Sequence, residues 1–189
     1  FHVPGLKLVA PATAYDAKGL MKSAIRDDDP VLYFEHKFLY RRIKEDIPQE
    51  EYLVPIGKAA LRKEGRDVTV ITYSSPVHAV MKAARDLAKE VDIAVVALRS
   101  LLPIDWPTLK ASVRKTGRCL IVHEDTMTAG FGAEIAAVVA REAFWQLDAP
   151  VDRLCVEAVP MPSHPDLMAA VLPPAELLGV GIREGLTAG

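Results

Sequence analysis

Five histidines and a run of three aspartates are the side chains of this sequence that invite chemistry. His36 and His123 each close a run of strand-forming residues, in Phe34-Glu-His-Lys37 and Val122-His-Glu-Asp125. Open α/β sheets hold their ligands at the C-terminal ends of strands, so both are candidate site residues, weighed against ordinary satisfied histidines. His2 and His78 read as surface residues, the latter on the polar side of an amphipathic helix. His164, between Ser163 and Pro165, is uninformative by itself. No serine sits on the strand–turn–helix elbow that would activate it, so no Ser-His-Asp arrangement can be assembled. Gly130-Phe-Gly132 before a helical stretch looks like a phosphate cradle. It lacks the third glycine and the distant acid of a dinucleotide fingerprint, and a tight turn that brings helix and sheet together explains it better.

Asp27, Asp28 and Asp29 follow the end of a predicted helix, where exposed carbonyls already carry partial negative charge. A basic partner or a hard cation held by oxygen ligands would relieve that repulsion. A solvated acidic turn is the other reading, and the spacing leaves both open. Cys119 and Cys155 each lie in a short apolar run and form no CxxC pair, which suits reduced, buried thiols rather than a disulfide or metal site.

The elements that must position these residues alternate. Residues 6–10 form a short strand candidate. Thr13 and Asp16 have capping-box spacing, in which each side chain can bond an unpaired donor of a helix start. The helix they open carries Ala17, Leu20, Met21, Ala24 and Ile25 on one face, and Pro30 ends it. Val31-Leu-Tyr-Phe34 is the next strand. Residues from about 41 to 66 are charged, marked by proline and aperiodic, as an exposed linker would be. After them come a strand at Val68-Thr-Val-Ile-Thr-Tyr73, a helix from Ser75-Pro76 with Val77, Val80, Met81, Ala84 and Leu87 inward, and a fully apolar strand over 93–98. A helix opening at Asp105 with Pro107, a strand at Cys119-Leu-Ile-Val122, a long helix from Gly130 to Leu147 and a strand near 154–159 follow. Pro173-Pro174 starts a final helix. Short connections between alternating strands and helices predict a three-layer α/β/α domain around a mostly parallel sheet.

Half the 189 residues are hydrophobic and the net charge is −2, which predicts a folded soluble protein and argues against nucleic acid as partner. The apolar runs are too short for a membrane helix, and no signal peptide is expected. Phe1-His-Val-Pro-Gly5 reads as a loop already under way, so a longer chain upstream is expected.

Several blocks, in one order along nearly the whole chain, resemble the beta subunits of 2-oxo acid dehydrogenase decarboxylase components. They include Pro4-Gly-Leu-Lys-Leu-Val-Ala-Pro11, Tyr15-Asp-Ala-Lys-Gly-Leu20, Ala24-Ile-Arg-Asp-Asp-Asp-Pro30, Val54-Pro-Ile-Gly-Lys-Ala59, Leu98-Arg-Ser-Leu-Leu-Pro-Ile-Asp105 and Gly130-Phe-Gly-Ala-Glu134. Phe34-Glu-His-Lys37 and Ile47-Pro-Gln-Glu-Glu-Tyr52 are nearer the branched-chain (2-oxoisovalerate) type than the pyruvate type. The resemblance implies an α2β2 enzyme that uses thiamine diphosphate at the alpha–beta interface, with magnesium held by the alpha subunit. Decarboxylation would be followed by acyl transfer to lipoyl-lysine. Residues 1–41 would be the end of a pyrimidine-binding domain, 42–66 a linker and 67–189 a transketolase C-terminal domain. The activating glutamate and the ring-stacking aromatic would precede Phe1, so the chain alone is expected to be inactive and to bind no thiamine diphosphate.

By the same resemblance a potassium site falls on the backbone oxygens of Ala24 and Ile25 and on Asp27 and Asp29, where related subunits often have asparagine at the last position. The C-terminal domain would contact a second beta subunit and the basic peripheral subunit-binding domain of the dihydrolipoyl acyltransferase, with Glu142 and Asp148 as candidate contacts. Met161-Pro-Ser-His-Pro165 and the end, Gly185-Leu-Thr-Ala-Gly189, depart from the aromatic and lysine-rich versions of many relatives. The location implied is the cytoplasm of a bacterium, or the mitochondrial matrix in a eukaryote. The rivals are the beta subunit of a pyruvate or acetoin dehydrogenase, and a non-catalytic docking or assembly module.

Overall fold

A computed structural model describes residues 1–173 together with Leu178, Gly179, Gly181 and Ile182. The larger of its two sheets has five strands: β3 (Ala60–Lys63), β4 (Val68–Tyr73), β5 (Ile93–Leu98), β7 (Cys119–Thr126) and β8 (Asp152–Val156). Their order is β3-β5-β4-β7-β8, parallel except at the β3 edge, which runs antiparallel to β5. Valine and isoleucine dominate β4 and β5 because a central parallel strand is buried on both faces. Alternate residues then serve two cores. On one face Ile71, Val96 and Ile121 meet Leu109 and Val113 of helix α3 (Trp106–Thr116) and Ile135 and Val139 of α4 (Phe131–Glu142). On the other, Val70, Val95 and Val122 meet Val80 and Ala84 of α2 (Pro76–Asp86), with Leu178 and Ile182. This is the three-layer architecture expected.

The smaller sheet has the order β2-β1-β6, built from β1 (Lys7–Val9), β2 (Val31–Tyr33) and β6 (Ser100–Leu102). Strand β1 is parallel to β2 and antiparallel to β6. Only Arg99 separates β5 from β6, so the chain leaves the large sheet there and completes the small one. Strand β6, from the 67–189 segment, thus pairs with β1 of the 1–41 segment. Helix α1 (Ala14–Ile25) covers the small sheet through a core of Val9, Leu20 and Val54.

Residues 42–66 depart from the exposed linker expected of them. Val54 is buried and β3 forms inside the stretch. Gly19 makes the contact with α1 close, since a Cβ there would fall 2.4 Å from Val54 Cγ2. Ser23 Oγ donates to the Val54 carbonyl at 2.7 Å, and Tyr52 stacks on Tyr15 at 4.4 Å between ring centroids. The expected apolar face of α1 is only half covered: Leu20 is enclosed, whereas Met21 and Ile25 are exposed, because the helix rests on the sheet through its first two turns. Helix α4 ends at Glu142, short of Leu147, and a tight 3-10 turn over Phe144–Gln146 follows. A short helix α5 (Pro165–Val171), absent from the sequence reading, starts at His164. The helix expected from Pro173-Pro174 runs outside the described residues, although Leu178 and Ile182 are helical and buried. Among the described residues no helix is long and apolar enough to cross a membrane.

Candidate functional site

The C-terminal ends of the two sheets meet. His36, three residues past β2, places Nε2 3.0 Å from a carboxylate oxygen of Glu124 on β7, 88 positions away in sequence. Glu35 and His36 border a pocket of about 220 Å³ whose other walls are Pro11 to Ala14 and Ala17, at the start of α1, and Leu39, Tyr40 and Ile43. A 3-10 turn at Lys37–Leu39 carries the chain around it.

A charged clamp crosses the same junction. Asp16 is 1% exposed, and its carboxylate is paired with the Arg62 guanidinium and lies 3.5 Å from Arg99 Nη1. Arg99 also donates to the carbonyls of Lys58 (2.9 Å) and Ala59 (3.2 Å). Thr13 Oγ1 accepts the Asp16 N–H at 3.1 Å, so half of the expected capping box forms. Its other half does not, because the carboxylate is drawn to the arginines. Asp16 reads locally as a helix cap; its partners lie 46 and 83 residues on, beyond any local signal.

His123 is wholly buried beside this junction. Its Nε2 lies 3.1 Å from the Gly132 nitrogen and 3.2 Å from Cys155 Sγ, and its Nδ1 lies 3.2 Å from the Asp125 nitrogen; a neutral ring accepts a hydrogen bond at one of its two nitrogens. Burial holds its pKa below the ordinary 6.5. Gly132 is needed here: a Cβ would fall 2.4 Å from His123 Nε2. The glycine pair thus serves close approach, and the ring is a neutral, packed group. Both cysteines are free, and burial pushes the Cys155 thiol up to about 11 and that of Cys119 to about 12, so neither is a thiolate near neutrality. His78 Nε2 bonds the Ala12 carbonyl at 2.7 Å and is half-buried rather than free on the surface. His2 is exposed, and His164 Nδ1 accepts the Asp166 N–H at 3.3 Å to cap α5.

The acidic turn lies at the far end of α1 from this junction. Lys7 Nζ sits 2.7 Å from Asp27 and 3.0 Å from Asp29, and the Asp29 N–H donates to Asp27 Oδ1 at 3.0 Å. The ammonium holds the Asp27 carboxyl below its usual range. The Ala24 carbonyl accepts from the Asp27 N–H at 3.4 Å, and Ile25 is exposed. Two of the three aspartates, Asp27 and Asp29, thus share a positive partner from within the chain, on a lysine that no spacing rule singles out. Among the described residues no group of three or more His, Cys, Asp or Glu side chains converges on a metal-sized site.

Glu142 and Asp148 differ. Glu142 is bound by Lys110 at 2.6 Å and Arg141 at 3.2 Å, which lower its pKa. Asp148 is more exposed, 3.9 Å from Arg118 and folded over Gly117. Between them Phe144 and Trp145 stand out from the surface, Trp145 88% exposed.

Comparison with known proteins places this geometry. Residues 57–177 match the transketolase C-terminal domain family, and residues 1–42 the transketolase pyrimidine-binding domain family. The chain belongs to the transketolase C-terminal domain family. It is 46% identical over 166 residues to the 2-oxoisovalerate dehydrogenase subunit beta of Bacillus subtilis (strain 168), covering 87% of this chain and 51% of that one. To the pyruvate dehydrogenase E1 component subunit beta of the same organism it is 43% identical over 176 residues, covering 87% and 54%. It therefore spans about half the length of the curated relatives it matches. Among solved structures, a split-gene transketolase described as an inactive beta4 tetramer superposes with a TM-score of 0.83 at 26% identity, over 99% of this chain and 60% of that one. A transketolase from Pichia stipitis, at 14% identity and a TM-score of 0.64 over 98% of this chain and 26% of that one, shares the fold. The family resemblance and the fold read from the sequence are both upheld.

Proposed function

We propose that the chain serves as beta-subunit structure in a thiamine-diphosphate-dependent 2-oxo acid dehydrogenase that decarboxylates a branched-chain 2-oxo acid and passes the acyl group to lipoyl-lysine. The observation that carries this reading is the 46% identity to a 2-oxoisovalerate dehydrogenase beta subunit, running through both matched regions. The branched-chain preference rests on the 34–37 and 47–52 segments. A pyruvate-type beta subunit is the second reading, favoured by 49% identity over 152 residues to the pyruvate dehydrogenase beta subunit of Staphylococcus epidermidis. In either case an alpha subunit supplies the magnesium diphosphate site, and cofactor chemistry supplies the electron sink while protein groups position and exclude water. The junction of the two sheets, with its pocket and its His36–Glu124 tie, is the face offered to the alpha subunit.

Two accessory sites belong to the same proposal. A potassium ion would take the backbone oxygens of Ala24 and Ile25 with Asp27 and Asp29, displacing Lys7 Nζ from the two carboxylates. The basic subunit-binding domain of the acyltransferase would dock on Asp148 rather than Glu142, because Lys110 and Arg141 already neutralise the latter, with Trp145 as an aromatic anchor. The test is a substrate comparison on the assembled alpha–beta enzyme. Decarboxylation of 3-methyl-2-oxobutanoate at a kcat/KM at least about tenfold above that of pyruvate, a difference of ~1.4 kcal/mol in barrier, supports the branched-chain reading. The reverse ratio selects the pyruvate type, and no turnover of either removes the catalytic reading.

A further inference from the structure

Over much of the molecule lysines and arginines face carboxylates, as at Lys7–Asp27, Lys63–Asp92 and Lys110–Glu142. The stretch Lys37-Phe-Leu-Tyr-Arg-Arg-Ile-Lys44 breaks that habit, with four cations and no acid. Lys37, Arg41, Arg42 and Lys44 are all exposed, and among the described residues none of them reaches a carboxylate. The nearest acids in sequence are engaged elsewhere: Glu35 is hydrogen-bonded by the Tyr40 hydroxyl, and Glu45 accepts the Tyr15 N–H at 2.9 Å. The backbone that carries the cations is fixed. The Leu39 N–H donates to the His36 carbonyl at 2.9 Å, and the Arg42 and Ile43 N–H groups both reach the Leu39 carbonyl at 3.1 Å. Leu39 and Ile43 are half-buried and border the junction pocket. Phe38 and Tyr40, by contrast, are more than half exposed. The Arg42 guanidinium carbon stands 3.9 Å from the centre of the Phe38 ring. A guanidinium stacked on an aromatic face keeps its N–H edge for a carboxylate, which it can grip with two parallel hydrogen bonds.

We propose that residues 37–44 form a docking surface for a short, carboxylate-rich segment of a partner protein. Arg42, held on Phe38, takes one carboxylate, and Lys37, Arg41 and Lys44 supply the surrounding positive charge. Phe38 and Tyr40 give the apolar contact that exposed aromatic and arginine side chains provide at protein interfaces. A solvated charged turn would have no use for two exposed rings. A long polyanion such as a nucleic acid fits less well, because Glu45-Asp46 and Glu50-Glu51 follow directly along the chain and repel it, and the whole chain has a net charge of −2. A short acidic segment ends before it meets them. The assignment rests on the reading of the sheet junction as the face toward an alpha subunit, and it gives the matching surface its chemistry.

The probe is a short fluorescein-labelled peptide of repeated Glu-Glu-Leu, titrated into the intact protein at low salt. The expected result is a saturable rise in anisotropy that weakens as salt is raised. Arg41→Glu combined with Arg42→Glu should weaken binding at least about tenfold, as reversal of two interface charges does. Arg85→Glu combined with Lys89→Glu changes the net charge equally, at exposed cations that also lack a carboxylate partner, and should alter binding less than about twofold. Phe38→Ala removes the stack under Arg42 without changing charge and should weaken binding about threefold. All these positions are exposed, so the variants keep the fold. No saturable binding, an equal loss in the two charge-reversed variants, no loss in Phe38→Ala, or tighter binding of an oligothymidylate of equal length overturns the proposal. The assay reads peptide binding alone, so its failure leaves the proposed decarboxylation standing, and failure of decarboxylation leaves this result intact.

Discussion

The two sheets are held in place by different means. The five-stranded sheet has a thick layer of aliphatic side chains on each face, and its central strands are fully buried. The three-stranded sheet has a core of Val9, Leu20 and Val54, a strand borrowed from beyond Arg99, and a buried carboxylate gripped by two arginines. Apolar burial is non-directional and tolerates rearrangement, whereas an ion cluster fixes distance and orientation. The molecule uses the first to stabilise its platform and the second to register the small sheet against it. The residues with chemical potential, His36 and Glu124, lie at that registered junction.

The largest expected effect is at the clamp. Asp16→Ala leaves the Arg62 and Arg99 guanidiniums beside an empty acceptor and should cost about 3–5 kcal/mol, as removal of one partner from a buried pair does. Urea unfolding measures the loss, and a value under about 1 kcal/mol would mean that the arginines find other partners. Next is the small core. Leu20→Ala should cost ~2–5 kcal/mol. In hydrogen exchange, the loss of protection should stay within residues 7–33 and β6, while Ile121→Ala should loosen the whole large sheet. If Leu20→Ala also exposes β4 and β5 amides, the two sheets unfold as one unit and the contrast fails.

A smaller effect follows pH. His123 has a folded pKa below its unfolded value of 6.5, so the unfolded chain binds a proton that the folded chain refuses. Its stabilising contribution is complete above about pH 6.5 and is lost as pH falls through the folded value, at no more than ~1.4 kcal/mol per pH unit. Urea midpoints between pH 7.5 and 5 should show this slope in the wild type and lose part of it in His123→Asn. The smallest effect concerns the acidic turn. In Lys7→Met the Asp27 carboxyl should titrate nearer the ordinary 3.8 than in the parent, where Lys7 and the Asp29 N–H depress it. An unchanged Asp27 titration by NMR would show that Lys7 is not its partner in solution.

The four parallel strands of the large sheet were legible because their information is local, whereas β3 was hidden in the expected linker. Val68-to-Tyr73 and the run 93–98 announce buried strands, Pro76 and Asp105 announce helix starts, and Gly130 and Gly132 mark a close turn. In the small sheet β1 and β2 were legible and β6 was not, because what completes the sheet is remote. Nothing in Ser100-Leu-Leu102 says that it pairs with β1, and the capping pattern at Thr13 and Asp16 hides a partner at Arg62. The apolar face of α1 gave the right period, but Met21 and Ile25 stay exposed because period reports a face and not what covers it. For the site, strand ends picked out His36 and His123 together; only the structure separates a histidine bordering a pocket from one packed over Gly132. Lys7 and Glu124 carried no signal at all, being ordinary surface charges until the fold supplies their partners.

The central proposal is that the junction of the two sheets, rather than the Trp145–Asp148 end, would be the working face toward an alpha subunit. Hydrogen exchange on the protein alone and in its alpha-subunit complex tests it directly. Protection should rise at residues 34–43 and 123–129 and stay unchanged at 144–150. Protection at 144–150, with 34–43 exchanging as in the free protein, would contradict the account.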